Sequence, residues 1–539
     1  MLRAFTRLRA TPLRAVGVRT QSTRANVLDE LEARGFVQAI TSPDLRKQLE
    51  TPTTVYAGID PSASSLHVGN LLPLMGLLHL RARGHRPLAL LTQIGGATGM
   101  IGDPSGRSTE RNALSEADLA TNVAGITAQV HRFFERGTAY ASKRGFSPGD
   151  GDVRVVNNYD WFRGVGFLEF LRDVGKFARV NTMLSRDSVK SRLDSDTGIS
   201  FTEFSYQLLQ AHDFATLYRT HDCRLQLGGS DQWGNIVAGI DLIHRVRAQA
   251  AAEAAAAAAA QAARERQDAE AQMTQSERRA AARAAKEEAN VSAAAARRAA
   301  REAAKASAGA AAEAVEAARS EAPPAYGLTI PLLTTASGEK FGKSAGNAVW
   351  LDSGRTSIND FYQFFYRAPD ADVRKYLSLL TLVPRERIDA VMAEHERTPR
   401  ARAAQALLAD EVTELVHGPE AVRKAHAAQA ILYAKEPRAL KTAEVLEALE
   451  GDPRLIRVKR SEIRGVPVSK LVAMYGLVGS RSEATRLIKP RNTGIHINET
   501  PVTDPRQEIV QTNLVDKHLA VVRRGTRDML VFHVSYDSD

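Results

Sequence analysis

From about Thr54 to Val246, short runs of β-branched and apolar residues alternate with longer runs whose apolar positions recur every three or four residues. "TVYAGID" reads as a strand, "HVGNLLPLMGLLHLRARG" as a helix closed by Gly84, and "RPLALLTQIG" as the next strand. The strand "DVRVVNN", the helices "GFLEFLRDVGKF" and "TEFSYQLLQAHDFATLYRTH", the strand "CRLQLGG" and the helix "QWGNIVAGIDLIHRV" follow in order. This βαβ rhythm predicts an α/β fold built on a doubly wound parallel sheet. After Pro323 and Pro324 it resumes with the strand "YGLTIPLL" and the glycine-containing loop "TTASGEKFGKSAGN". Residues from about Ile358 to Glu450 read as helices alone. From about Leu455 a helix "RSEATRLI" and β-like stretches "TGIHINETPV" and "LAVVRRGTRDMLVFHV" form a separate small α+β unit.

One segment breaks the pattern. Starting at Ala251 with "AAEAAAAAAAQAARERQDAE", a run of about seventy-five residues is roughly half alanine, with strong intrinsic helix propensity. It has almost no Leu, Ile or Phe and so lacks the apolar seam of a coiled coil. Its acidic and basic residues are about balanced, unlike a nucleic-acid-binding arm. One continuous helix of that length would reach about 110 Å and separate two segments of one sheet. It must fold back or stay partly unstructured, with breaks expected at Thr274 to Ser276, Asn290 to Ser292 and Gly309. A tolerated surface insertion is the expectation, because each doubling of loop length adds only about 0.6 kcal/mol of closure entropy.

The chain has 539 residues, 44% of them hydrophobic and 25% charged, which fits a globular protein of roughly two to four domains. No apolar run approaches the roughly 18 residues needed to span a membrane. The single cysteine, Cys223, excludes an intramolecular disulfide and a multi-cysteine zinc site, and reads as a small buried apolar residue. Arg3, Arg7, Arg9, Arg14, Arg19 and Arg24 stand among Ser and Thr with no acidic residue before Asp29, the composition of a mitochondrial transit peptide. The net charge of +10 is therefore uneven: about six charges lie in that presequence and about six more in the tail. A basic tail on a near-neutral body suggests an anionic partner such as nucleic acid, or simply a solvated basic surface.

Four pieces carry candidate chemistry. In "YAGIDPSASSLHVGN" a strand and a turn lead into a helix beginning near His67, so free N–H groups and a positive helix end face whatever lies beyond the strand. His67 and Asn70, three apart, can both donate to a phosphoryl oxygen. In "EKFGKS", Lys340, Lys343 and Ser344 sit on a glycine-containing loop that can close on a polyphosphate. In "SYQLLQAHD", Tyr206, Gln210 and Asp213 share one helix face whose surroundings are apolar. In "GGSDQWGN", two glycines end a strand before Asp231 and Gln232, where a ribose-binding carboxylate belongs in a doubly wound sheet.

Taken together these pieces resemble the tyrosyl-tRNA synthetases, class I aminoacyl-tRNA synthetases of the bacterial and mitochondrial type. "HVGN" stands at that family's HIGH motif and "KFGKS" at its KMSKS motif, while "GGATGMIGDPSGR", "NNYDW", "SFTEFSYQLLQAHD" and "GGSDQWGN" match family blocks almost letter for letter. The likeness runs in order along the chain apart from the presequence and the alanine-rich run. It implies a mitochondrial transit peptide over 1–24, a Rossmann-like catalytic domain over 25–247 continued over 324–357, an insertion over 248–323, an α-helical anticodon-binding domain over 358–452 and an S4-like RNA-binding domain over 453–539.

The resemblance also implies roles. Tyr56 and Asp213 would bond the phenolic hydroxyl of L-tyrosine, Asp103, Tyr206 and Gln210 its α-amino group, and Gln232 would lie near its carboxylate. Asp60, Gly229 and Asp231 would contact the adenosine of ATP, with His67 and Asn70 at the reacting phosphate. Lys340, Lys343 and Ser344 would meet the departing pyrophosphate, and Arg107 and Arg111 would add positive charge. The implied partners are tRNA(Tyr), ATP with accompanying Mg2+ and no dedicated metal site, and a second copy in a homodimer, all in the mitochondrial matrix. Three positions depart from the family: Asn70 replaces a histidine, Ala57 a cysteine that touches ribose, and Arg107 a lysine. A tryptophanyl-tRNA synthetase is the nearest alternative, against which Tyr56 and Asp213 argue. An RNA-binding splicing role, added to catalysis or replacing it, is the other.

Overall fold

The structure, a computed structural model, describes residues 26–91, 115–148, 153–193, 198–272, 274, 276, 324–335, 343–344, 347–432, 440–488, 494–525 and 528–536. Six strands form the first sheet: β1 (Ala39–Ile40), β2 (Thr54–Ile59), β3 (Arg86–Leu91), β4 (Arg154–Asn157), β5 (Cys223–Gly229) and β6 (Tyr326–Ile330). Their order is β1-β6-β5-β2-β3-β4, with β2 to β6 parallel and β1 antiparallel at one edge. From β2 the chain crosses over to β3 on one side, and β5 later fills the other side. The strand order reverses there, and the carboxyl ends of β2 and β5 open a crevice.

Parallel strands need crossovers, and the crossovers explain the apolar runs. The helix Leu71–Ala82 is buried at ten of its positions because it lies between β2, β3 and β5 on one side and the helices Glu116–Lys143 and Asp370–Leu380 on the other. A helix covered all round has no reason to be amphipathic. The reading by pattern leaves Glu116–Lys143 unmarked, although its apolar positions Leu119, Ile126, Val130, Phe133 and Phe134 are buried along one face. The helices Ile358–Tyr366, Asp370–Leu380, Arg385–Arg397 and Ala403–His417 pack on one another and, through Asp370–Leu380 and Ala403–His417, on the helices Leu71–Ala82 and Glu116–Lys143, and Phe361, Leu377, Leu408 and Val412 share one continuous core with Leu71, Leu78 and Val130.

The tail folds as a five-stranded sheet in the order β11-β10-β12-β13-β9, comprising β9 (Leu455–Lys459), β10 (Ile495–Ile497), β11 (Thr500–Pro501), β12 (Leu519–Arg524) and β13 (Asp528–Ser535). It has its own core around Phe532, Leu471 and Ile495. β9 is absent from the pattern reading; it pairs in parallel with β13, so its partner lies far along the chain.

The alanine-rich run begins inside a helix and does not start one. Trp233–Gln272 is a single helix of 40 residues. The seven residues of β5 span about 23 Å, so about 16 helical residues suffice to return to the start of β6. The rest overshoots into solvent, and every side chain described from Ala250 to Asp268 is exposed. The helix ends at Gln272, beside the first expected break; the breaks expected at Asn290 to Ser292 and at Gly309 lie outside the described residues. Replacing residues 251–320 by a short Gly/Ser linker is therefore expected to leave the thermal unfolding midpoint within about 2 °C of the parent, followed by circular dichroism. A larger fall or loss of a cooperative transition would contradict this placement.

Candidate functional site

At the crevice floor, Tyr56 on β2 is 1% exposed, and its ring lies tilted against Phe214 with centroids 5.3 Å apart. Its hydroxyl is buried and meets no hydrogen-bond partner among the described residues. Beside it Asp213, on the helix Phe201–His221, is also buried. The Asp213 carboxylate accepts from Asn158 Nδ2 at 3.1 Å and Trp161 Nε1 at 2.9 Å. Burial pushes its pKa up to about 7 against the opposing effect of these two bonds. Burial first, then the nearby charge of Asp213 and after it Cys223, raises the Tyr56 phenol well above its ordinary range. The pair therefore offers one unspent phenolic O–H and spare lone pairs on a carboxylate. A ligand hydroxyl satisfies both, by donating to Asp213 and accepting from Tyr56; an indole N–H could serve only the carboxylate.

Next to Tyr56 in the β2–β5 register stands Gln226, 3% exposed and with its Oε1 unpartnered among the described residues. The sequence reading did not single out Gln226, although a lone amide inside the apolar "LQL" is the signal that could have found it. Asn158 and Trp161 were visible only as letters of "NNYDW", since nothing local ties them to Asp213.

At the upper rim three amides interlock. Gln210 Nε2 donates to Gln232 Oε1 at 3.1 Å, and Asn235 Nδ2 donates to Gln210 Oε1 at 2.9 Å and to Gln232 Oε1 at 3.2 Å. Asn235, another residue not singled out, thus fixes the orientation of the two glutamine amides. Tyr206 is buried one turn before Gln210, so the spacing of Tyr206, Gln210 and Asp213 does bring them to one covered face. Where β5 ends, a Cβ on Gly229 would sit 2.5 Å from Asp231 Oδ1, so the carboxylate folds back over the bare glycine backbone. Asp60 follows β2 at the adjacent strand end.

The HVGN turn lies beyond β2. His67 caps a 3-10 turn, Val68–Asn70, that runs into the helix Leu71–Ala82. His67 Nδ1 accepts from Gly69 N–H at 3.0 Å, and His67 N–H donates to Asn70 Oδ1 at 3.0 Å. With Nδ1 an acceptor, the neutral imidazole carries its proton on Nε2, and Asn70 keeps its Nδ2 hydrogens for other use. Both side chains cap the turn through acceptor atoms, His67 through Nδ1 and Asn70 through Oδ1.

Lys343 and Ser344 form β7 (Lys343–Ser344), paired antiparallel with β8 (Asn347–Ala348). The next residues reach the HVGN turn: Val68 N–H donates to Val349 O at 2.9 Å and Leu351 N–H to Leu66 O at 2.8 Å. The backbone of the second signature segment thus sits at the first. Asp103, Arg107, Arg111 and Lys340 lie outside the described residues.

The chain matches the family model "tRNA synthetases class I (W and Y)" over residues 47–279 and 299–434. It is 38% identical over 512 residues to a tyrosine–tRNA ligase of Cytophaga hutchinsonii, covering 93% of this chain and 98% of the relative. Against a mitochondrial tyrosine–tRNA ligase of Drosophila melanogaster it is 35% identical over 519 residues, 95% of each chain. Among solved structures it is similar to a C-terminally truncated mitochondrial tyrosyl-tRNA synthetase of Aspergillus nidulans, with a TM-score of 0.56 and 29% identity over 75% of this chain and 93% of that one.

The buried carboxylate makes stability depend on pH. Asp213 titrates at about 7 when folded and near 4 when unfolded, so the folded chain binds more protons between these values. Its contribution to stability is therefore largest in acid and falls as pH rises through that window. Asp213→Asn removes this dependence whatever its constant cost. The unfolding free energy of Asp213→Asn relative to the parent should rise by up to about 4 kcal/mol from about pH 4 to about pH 7, measured by urea unfolding at each pH. A difference that is flat with pH would contradict it.

Proposed function

The chain belongs to the class I tRNA synthetases of the W and Y family, and from that premise we infer that it acts as a tyrosine–tRNA ligase, activating L-tyrosine with ATP and passing it to tRNA. The observation that carries the choice of tyrosine is the buried pairing of Tyr56 with Asp213, whose unspent donor and acceptor match a phenol and not an indole.

In this reading Tyr56 and Asp213 take the substrate hydroxyl, while Tyr206 and Gln210, with Asp103, hold the α-ammonium. Gln232 lies by the carboxylate. Asp60, Gly229 and Asp231 take the adenosine, where the bare Gly229 backbone admits close approach. A tyrosine carboxylate oxygen attacks the α-phosphorus of ATP, the bond to the bridging oxygen of the β-phosphate breaks, and pyrophosphate departs in line. A ribose hydroxyl of the tRNA 3′ end then attacks the tyrosyl carbonyl and AMP leaves. No protein nucleophile takes part; positioning and charge stabilisation supply the rate. His67 Nε2–H and Asn70 Nδ2–H donate to the α-phosphate, and Lys340, Lys343, Ser344, Arg107 and Arg111 meet the charge that builds on the leaving group. Magnesium enters with the triphosphate, and no group of three or more His, Cys, Asp or Glu among the described residues could cage a metal by itself.

The arginine-rich residues 1–24 support import into the mitochondrial matrix. Residues 358–452 and the basic unit 453–539 are proposed to hold the tRNA(Tyr) anticodon side. A homodimer is supported by apolar side chains concentrated along one stretch of the chain: Phe167, Leu168, Val180, Leu193 and Phe201 are exposed, Leu168 at 79%.

Two outcomes test this. Protein lacking the presequence should catalyse ATP–pyrophosphate exchange with tyrosine and not with tryptophan; exchange with tryptophan alone would sink the assignment. Leu168→Asp should convert a dimer to a monomer in sedimentation velocity, whereas a parent already monomeric, or a variant still dimeric, would remove this face as the interface.

A further inference from the structure

We propose that Asn122, Gly125 and Gln129, on the helix Glu116–Lys143, are positioning residues that set the path of residues 60–66 and with it the spacing of Asp60 and His67 along the bound nucleotide. The proposal rests on the reading of Asp60 and His67 as contacts to ATP.

Residues 60–66 join the end of β2 to the HVGN turn without forming helix or strand, although Pro61, Ser65 and Leu66 are buried. Buried backbone outside regular structure has to find its partners elsewhere, and side chains of the neighbouring helix supply them. Asn122 Nδ2 donates to Pro61 O at 3.0 Å. Gln129 Oε1 accepts from Leu66 N–H at 2.9 Å, and Gln129 Nε2 donates to Ser65 Oγ at 3.0 Å. Both amides are themselves buried and share one helix face with Leu119, Ile126 and Val130. Two amides within an apolar face are costly unless their bonds are made, and these bonds go to the two ends of the loop.

Gly125 lies between the two amides. Glycine inside a helix is unfavourable relative to alanine, so its presence here calls for a close approach that no side chain would allow. A Cβ on Gly125 would overlap the Ser64 carbonyl oxygen, so the helix backbone and the loop backbone touch. The loop therefore follows the helix surface: anchored at Pro61, pressed against it at Ser64, and anchored again at Ser65 and Leu66. Arg355 Nη2 reaches Ser64 Oγ at 2.8 Å from the other side, and Leu66 O accepts from Leu351 N–H at 2.8 Å.

This clamp and the tyrosine floor lie on opposite faces of the first sheet. Val55, Ala57 and Ile59 of β2 belong to the core that holds Ile126 and Val130, whereas Tyr56, between them, packs with Phe214 and Ile236. Asp60 and His67 stand at the two ends of the clamped loop, so its path sets the distance between a contact to adenosine and a contact to the reacting phosphate. Displacing the loop changes that distance and leaves the Tyr56–Asp213 pair where it is. The clamp thus acts on the nucleotide half of the site and not on the amino-acid half.

The experiment uses the full chain and its variants Gly125→Ala, Gln129→Leu, Gln129→Glu and Asn122→Ala, with Ala128→Gly, at an exposed position of the same helix, as the control for helix stability. ATP–pyrophosphate exchange gives kcat/KM for ATP, equilibrium dialysis without ATP gives the Kd for tyrosine, and a melting midpoint accompanies each. Gly125→Ala and Gln129→Leu should lower kcat/KM for ATP about 10- to 100-fold, the scale of a small misplacement at a reacting group, with the tyrosine Kd within about twofold. Gln129→Glu, which keeps an acceptor for Leu66 N–H, should lose at least about fivefold less than Gln129→Leu. Ala128→Gly should lower the midpoint through its helix propensity and leave both constants within about twofold. A loss below about threefold in Gly125→Ala and Gln129→Leu, an equal weakening of tyrosine binding, or an equal loss in Ala128→Gly would overturn the proposal. If either of the first two variants fails to fold, Asn122→Ala, which removes a single bond, makes the same comparison with an expected loss of about 3- to 10-fold. A parent without tyrosine-dependent exchange would overturn the functional reading, and this proposal with it.

Discussion

The parallel pairing of β2 with β5 determines where everything else can be. Both strands are largely buried, each is continued by a turn into a helix, and their carboxyl ends lie on the same side because the strands are parallel, while the reversal of strand order between them places the crevice there. Tyr56 and Gln226 meet in that pairing, the Gly229–Asp231 turn ends one strand, and Asp60 and the HVGN turn follow the other. A slip of one residue in this register would turn Tyr56 to the opposite face of the sheet and dissolve the crevice floor. The apolar helix Leu71–Ala82 packs against β2, β3 and β5 and so covers that pairing on one face.

Against that rigid frame the polar floor is costly. An aspartate pushed up to about 7, and a tyrosine hydroxyl and a glutamine oxygen without partners among the described residues, are groups that a chain selected for stability alone would replace by apolar ones. They are tolerable because the core continuous from the sheet into the helical region is large. Their unsatisfied capacity is also what gives the site selectivity: a ligand that supplies the missing hydroxyl gains bonds, and one that lacks it leaves the groups stranded.

Much of this was legible in local pattern. The alternation of strands and helices gave the parallel sheet, and the spacing of Tyr206, Gln210 and Asp213 put them on one face because a helix has no other way to arrange them. What escaped depends on distance along the chain. β9 has five residues and pairs with β13 more than seventy residues later, so no local period marks it. Asn158 and Trp161 act on Asp213 across 55 and 52 residues, and Trp350 reaches His67 from the far side of the insertion. The helix Glu116–Lys143, by contrast, carries an apolar face at Leu119, Ile126, Val130 and Phe133 that its own spacing makes legible. The alanine-rich run, read as a separate insertion, begins as the overshoot of a helix the sheet requires, which its composition could not reveal.

The central claim is that the floor made by Tyr56 and Asp213 demands a hydroxyl. The measurement that tests it most directly is the ratio of kcat/KM for tyrosine over phenylalanine in the exchange reaction. The ratio should be on the order of 10⁴ to 10⁵, the range already known for sites that hydrogen-bond a substrate hydroxyl, tyrosine enzymes of this class among them. A ratio of about 100 or less, the scale of a merely apolar pocket, would contradict the account.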